Sequence, residues 1–309
     1  MPKPVVLVFH QEKDGALFEK IILALRARYT LVSLAELEGL LLQKKDLRNT
    51  CHISFDDGEI SFYNIVFPVL QKHQVPVSLF VSPGVISSGA NYWFQEIAGY
   101  DERVMKNILA KQLQTPVEAI SRFALPAILK CLPAAKIEAA IHAYRQETNC
   151  GIKPPQNIGV EELRKLDASG LVTIGAHTIN HPVLQNEADE GSYFEITESV
   201  KQLGTLLGHP VTAFAYPNGR PGIDFGEREI KCLRDNKVSL AFTTASDHLH
   251  ADTDPLQIPR MSFARMGLSP SNPLVSFRLN VGSKWIDIKS IGKPTEAATR
   301  AKIKAVLAI

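Results

Sequence analysis

Two short polar runs in this chain carry the residue types that metal-assisted hydrolysis needs. In Asp56-Asp57-Gly58 two adjacent carboxylates follow the apolar stretch Ile53-Ser54-Phe55. Neighbours on an extended chain point to opposite sides, so one carboxylate can bind a cation while the other stays free to accept a proton, and Gly58 permits a sharp turn away. In His177-Thr178-Ile179-Asn180-His181 two imidazoles four residues apart can meet one metal ion on a turn or tight loop. Pro182 argues against a long helix starting there, so the pair is expected on a loop above a strand. Each run alone has a plainer reading: Asp and Gly are what turns are made of, and two histidines are as readily solvent-facing or core residues. Together they shift the balance. Two histidines and one carboxylate leave open coordination positions, as catalytic zinc sites and non-haem iron sites do. The remaining aspartate is then a ready base for a water whose pKa a cation lowers toward ~7.

Such groups have to be held by elements that end at one common face. Four apolar, strand-like stretches run directly into polar residues: Val5 to Phe9 into His10, Ile53 to Phe55 into Asp56, Leu171 to Ala176 into His177, and Thr212 to Ala215 into Tyr216-Pro217-Asn218-Gly219. Buried parallel strands whose carboxyl ends carry the chemistry are the plan of α/β barrels. Helical patterns at 17–28 (Leu17, Ile21 and Leu25 on one face), 34–42 and 61–72 alternate with strands up to about residue 90, and the alternation resumes with helices at 160–168, 193–207 and 226–236. Further strands are expected at 77–81, 240–243 and 258–263, and a closing helix at 294–307. Between them, residues 91–156 read as helices at 104–112, 117–131 and 134–148 with almost no strand. The expected fold is therefore α/β, a deformed parallel (β/α) barrel of about seven strands formed by residues 1–90 and 157–309, with a helical insertion, 91–156, after the third strand. Tyr92, Trp93 and Phe94 at the start of the insertion suit either stacking on a sugar ring or the core, and Trp93 is a substrate-binding candidate.

Bulk properties narrow the function classes. With 309 residues, 45% hydrophobic and 21% charged, the chain can bury a sizeable core. Its formal charge of +2, with scattered Lys and Arg, offers no nucleic-acid footprint. Cys51, Cys131, Cys150 and Cys232 are far apart, without a CxxC pair, and are expected to be free thiols. The apolar run after Pro2-Lys3-Pro4 is too short for a signal segment, and no stretch approaches the ~20 apolar residues of a membrane-spanning helix. A cytoplasmic protein is expected, free or peripheral to the inner face of a membrane.

The residues also carry a family resemblance. Ser54-Phe55-Asp56-Asp57-Gly58 resembles the (T/S)FDDG motif of the polysaccharide deacetylase (NodB-homology, carbohydrate esterase) family, and His177 to His181 resembles its H(S/T)xxxH metal motif. Gln71 to Val81 and Glu161 to Gly170 are similar to the segments that follow and precede those motifs. The resemblance spans about residues 4–90 and 157–263. It implies Asp56 as general base and Asp57, His177 and His181 as ligands of a divalent metal, Zn²⁺ first, with Co, Ni, Mn or Fe as alternatives. Phe214 to Gly219 resembles the third family motif, which implies that the Asn218 backbone amide holds the oxyanion and that Tyr216 and Pro217 line the substrate site.

Two departures stand out. Many members begin the third motif with an arginine that orients the base, where this chain has Ala215; Arg260, in Ile258-Pro259-Arg260-Met261-Ser262-Phe263, is the candidate replacement, since a guanidinium clamps a carboxylate bidentately. A surface salt bridge is the plainer role for it. The usual C-terminal leucine-histidine motif is also absent, but His10 ends the first strand in a phrase similar to the opening of the biofilm poly-N-acetylglucosamine deacetylase subgroup, which implies His10 as the general acid. The expected activity is metal-dependent removal of an N-acetyl or N-formyl group from a saccharide, nucleotide- or lipid-linked, in surface polysaccharide or glycoconjugate synthesis. An inactive metal-containing sugar-binding protein and an iron-dependent oxygenase are the alternatives, and the spare carboxylate beside the metal motif weighs against both.

Overall fold

The all-apolar run Val5-Val6-Leu7-Val8-Phe9 is buried along its whole length, as a parallel strand covered on both faces must be. It is strand β1 (Val5–Phe9) of a computed structural model that describes residues 2–263 and 295–308. Seven strands follow: β2 (Thr30–Leu31), β3 (Thr50–Asp56), β4 (Val77–Val81), β5 (Val172–Ala176), β6 (Ala213–Ala215), β7 (Leu240–Phe242) and β8 (Met261–Ser262). All pair in parallel in the order β7-β6-β5-β4-β3-β1-β8, and β2 lies against the start of β3. Val8 sits opposite both Ser54 and Ser262, Phe55 opposite Leu79, Phe80 opposite Gly175, and Ala176 opposite Phe214. The two ends of the strip meet through Ile258, which bridges to Phe242 just before β8 joins β1. The segment from Ile258 to Ser262 thus closes a deformed (β/α) barrel with seven strands on its main path.

Short sequence signals account for the helices around it. α1 (Gly15–Arg26) starts where the Asp14 carboxylate accepts the Leu17 N–H, and α2 (Leu34–Leu42) starts at a Ser33/Glu36 capping box. α1 buries Phe18, Ile21, Ile22 and Leu25, whereas Leu17, expected on that face, is 40% exposed because the buried stripe runs through Phe18 instead. α3 (Phe67–His73) continues a π-helical turn at Phe62–Val66, and α4 (Pro83–Ser88) begins on a proline in the first turn, where its missing N–H costs nothing. After the insertion come α10 (Val160–Ala168), α11 (Asp189–Leu207), α12 (Glu227–Asp235) and, beyond residue 294, α13 (Glu296–Leu307).

The chain between 91 and 156 folds as α5 (Trp93–Glu96), α6 (Glu102–Gln112), α7 (Val117–Ser121), α8 (Leu125–Leu129) and α9 (Ala134–Thr148). The single helix expected over 117–131 is two short ones, because Pro126 fits only the first turn of α8. The insertion follows the fourth strand rather than the third, since the two-residue β2 has too few residues to show a period. Met105, Leu109, Ile128, Leu129 and Ile141 form a hydrophobic cluster separate from the barrel core, and α13 adds Ile303 and Leu307 to it. The cysteines are free, three of them buried and Cys150 partly so. Among the described residues no helix is long and apolar enough to cross a membrane.

Candidate active site

β3 delivers Asp56 at its last position, 4% exposed, and the barrel-closing segment delivers Arg260 opposite it, fully buried. Nη1 and Nη2 of Arg260 donate to the two carboxylate oxygens of Asp56 at 2.7 and 2.8 Å. Nε donates to the Thr243 carbonyl at 3.0 Å, and the guanidinium carbon lies 5.6 and 5.9 Å from the ring centroids of Phe80 and Phe242. Burial alone would push the Asp56 carboxyl up, but Arg260, with His177 and His10 behind it, outweighs burial and holds it at about 2. Asp56 is a carboxylate at every working pH.

The chain then turns. Asp57 takes a left-handed φ of 74° and Gly58 one of 71°, which carries the backbone off the strand; a Cβ on Gly58 would also press on Val81 Cγ1 at 2.8 Å. This turn aims the Asp57 carboxylate at two imidazoles. Its Oδ1 is buried, has no hydrogen-bond partner among the described residues, and lies 3.7 Å from Nε2 of both His177 and His181. That spacing is too long for a hydrogen bond but close to the ~3.4 Å expected of two ligands ~2.1 Å from a shared tetrahedral cation. The three ligand atoms lie within 4.8 Å of one another, so one carboxylate oxygen and two imidazole nitrogens fit a divalent metal. Burial, and then the charge of Asp56, pushes Asp57 up to about 8, so its charged form needs a cation. Burial lowers His177 to about 4 and, with His177 beside it, takes His181 well below the usual histidine range; both are neutral, as metal ligands must be.

His177 and His181 are held by devices that motif reading missed. The His177 Nδ1 lies 2.6 Å from the Ala215 carbonyl, the partner that directs Nε2 toward Asp57. Thr178 and His181 both take left-handed φ, 64° and 59°, and the His181 N–H donates to Thr178 Oγ1 at 2.9 Å. Beneath the loop, one oxygen of the buried Glu195 on α11 accepts the N–H groups of Ile179 and Asn180 at 2.8 and 2.9 Å, and the other accepts the Asn180 side-chain amide at 3.0 Å. Its signal in the sequence is a carboxylate on the buried stripe Ser192, Glu195, Ile196, Ser199 and Leu203 of a helix. Tyr92, fully buried, donates its hydroxyl to the Asp57 carbonyl at 2.8 Å, and Tyr92 and Phe94 meet the His181 ring edge-on.

These groups open into a cavity of about 280 Å³ lined by His10, Asp56, Asp57, His177, His181 and Arg260, together with Trp93, Phe94 and Asn218. His10 and Arg260 therefore share one cavity with the metal-type cluster. At the strand-like third motif, Asn218 takes a φ of 59°, and among the described residues its backbone N–H meets no acceptor. Gly219 makes this turn possible, with φ 70° and the Tyr216 carbonyl 2.9 Å from where a Cβ would stand. Tyr216 and Pro217 lie elsewhere. Tyr216 is buried, stacked on Phe225 at 3.6 Å with its hydroxyl donating to the Leu256 carbonyl, and Pro217 is buried too; neither lines the cavity. On the far rim, Glu296 of α13 pairs with Arg220 at 2.9 Å and with Arg300 at 2.5 Å.

Residues 43–231, more than half of the chain, match the family model for polysaccharide deacetylase. The chain belongs to that family. Solved structures with a similar fold include IcaB from Ammonifex degensii, at 19% identity and TM-score 0.59 over 91% of this chain and 98% of that one. The Streptococcus pyogenes deacetylase PplD in complex with acetate is similar at 16% identity and TM-score 0.56 over 90% and 97%. The BpsB deacetylase domain from Bordetella bronchiseptica is similar at 16% identity and TM-score 0.54 over 84% and 94%. No curated protein matches the sequence. Membership places the chain among enzymes that deacetylate carbohydrates, and the matched span holds Asp56, Asp57, His177, His181 and Asn218, while His10 and Arg260 lie outside it.

Proposed function

We propose that this polysaccharide deacetylase homologue is a metal-dependent hydrolase that removes an N-acetyl or N-formyl group from a sugar in surface polysaccharide or glycoconjugate synthesis. The observation that carries the reading is the Arg260-clamped carboxylate of Asp56 beside the Asp57, His177 and His181 cluster, in one cavity with His10. Asp57, His177 and His181 would hold the cation, Zn²⁺ suiting one oxygen and two nitrogen donors best, and when bound it lowers the pKa of a coordinated water toward ~7 and polarises a carbonyl oxygen.

The residues of the chain do the rest. Asp56, ionised and fixed by two parallel N–H···O bonds, is oriented to take the proton of the attacking water. The uncommitted Asn218 N–H donates to the oxyanion that forms at the acyl carbon. His10, on the same face, gives a proton to the departing sugar amine so that it leaves neutral. The sugar product keeps its amino group, and the acyl group leaves as acetate or formate. A purely sugar-binding role has no use for the clamped carboxylate.

Asp56→Asn is the test. Metal-loaded protein should release acetate or formate from N-acylated saccharides, and the variant should lose turnover while retaining the metal. A variant that still turns over, or that cannot hold Zn²⁺, would count against Asp56 as base.

A further inference from the structure

On the other side of Trp93 from the catalytic cavity lies a second one, of about 340 Å³, between α4 of the barrel and α9 of the insertion. Trp93 lines both, and Asn180, next to His181 in the loop that holds the metal-type cluster, lines the second. We propose that this second cavity is a saccharide subsite, so that the enzyme binds an oligosaccharide across Trp93 and reads the sugar adjoining the acylated one. The proposal rests on the reading of the protein as a sugar N-deacylase.

Its lining has the chemistry of a sugar ring in negative. A pyranose presents apolar C–H faces and a rim of hydroxyls that both donate and accept. Trp93, half-buried, with Ile137 and Ile141 of α9, supplies apolar surface, and Ile152, 80% exposed, extends it at the mouth. Glu138 and His142 stand four residues apart on α9, so they share a face of that helix. Both are exposed, and among the described residues neither is hydrogen-bonded or ion-paired. Asn180 spends its amide N–H on Glu195, which leaves its carbonyl oxygen for a ligand. The two cations of the lining are matched by two carboxylates, Glu96 and Glu138: Arg145 pairs with the buried Glu96 at 2.6 Å, and Lys153 donates to the Gln95 and Ala98 carbonyls at 2.8 and 2.5 Å. A lining of balanced charge, with acceptors, an imidazole and an apolar wall, suits a neutral polyol better than a phosphate or carboxylate.

The test compares N-acetylglucosamine with its linear trisaccharides, as substrates of the zinc-loaded enzyme and as ligands of its Asp56→Asn variant. The trisaccharide should exceed the monosaccharide in kcat/KM by about tenfold or more, the worth of one modest set of extra contacts. Glu138→Ala/His142→Ala, and separately the cavity-filling Ser88→Trp at an exposed position, should bring that ratio close to one while zinc content and unfolding midpoint hold. Equal kcat/KM values in the wild type, or a ratio that survives both variants, overturn the subsite. Trisaccharide binding to the Asp56→Asn protein that is lost in the Glu138/His142 background, without acyl release by the wild type, keeps the subsite and overturns the deacylase reading. Neither binding nor release overturns both.

Discussion

Arg260 and Asp56 are 204 positions apart, yet they meet through two parallel N–H···O bonds of 2.7 and 2.8 Å, with both side chains buried. A surface ion pair would contribute little and would orient nothing. Here the two charges offset each other, and Ser54 and Thr243 accept two further N–H groups of the guanidinium. The clamp on Asp56 thus comes from the link just before β8, not from the strand that carries Asp56.

Arg260→Leu leaves a buried carboxylate unpaired and should destabilise the fold by about 3–5 kcal/mol. Denaturant unfolding measures this, and an unchanged midpoint would refute the clamp. The sign with pH follows from Asp56, whose folded value of about 2 lies below the unfolded ~3.9. Its contribution is complete above that unfolded value and is lost as the pH falls through about 2; in Arg260→Leu burial instead raises the unpaired carboxyl, which protonates as the pH falls, so the stability gap between wild type and variant should be wider at pH 7 than at pH 4.

Metal uptake should be coupled to a proton. Without a cation Asp57 titrates at about 8 while both histidines are already neutral at pH 7, so binding at pH 7 requires the loss of close to one proton, from Asp57. Zn²⁺ affinity should rise by about tenfold per pH unit between 6 and 8 and level off above. Calorimetric titrations in buffers of different ionisation enthalpy count the protons, and zero release at pH 7 would contradict this account of the site.

Much of this was legible because strand ends put apolar and polar residues next to each other in the chain. Asp56, Asp57, His177 and His181 stand out for that reason, and α9 shows its period with the very bounds expected. Arg260 did not reveal its partner, since the contact depends on the barrel closing through Ile258. Tyr216, which the resemblance implies as a substrate contact, has its ring on Phe225, because a motif match fixes the chain position of a residue and not the side to which its ring turns. Pro217 went inward with it. Glu195 hid in mid-helix, where a lone carboxylate on an apolar stripe carries no motif.

Glu195→Ala should weaken Zn²⁺ binding by about 10–100-fold, because it frees two backbone N–H groups in the loop between the histidines. Competition with a chelator reads the change. Wild-type affinity in this variant would mean that Thr178 and the strand alone hold the loop.

His10→Gln should lower kcat by about 10²–10⁴ while leaving zinc content and KM close to wild type, the pattern of a lost proton donor. Steady-state kinetics on an N-acylated sugar decide it, and a fall of less than about threefold would remove His10 from the acid role.

The segment from Ile258 to Ser262 seals the barrel and carries Arg260 in the same stroke. With Asp56 as the proposed base, hydrolytic competence would be an all-or-none property of a finished ring. An unzipped edge leaves Asp56 without its counter-charge, and a buried acid in that condition takes up a proton and ceases to be a base. The chain carries its own fail-safe, so conditions that fray this seam should silence the enzyme while most of its secondary structure persists. Activity and far-ultraviolet circular dichroism followed together through mild denaturant would show the two losses separating, and coincident curves would deny it.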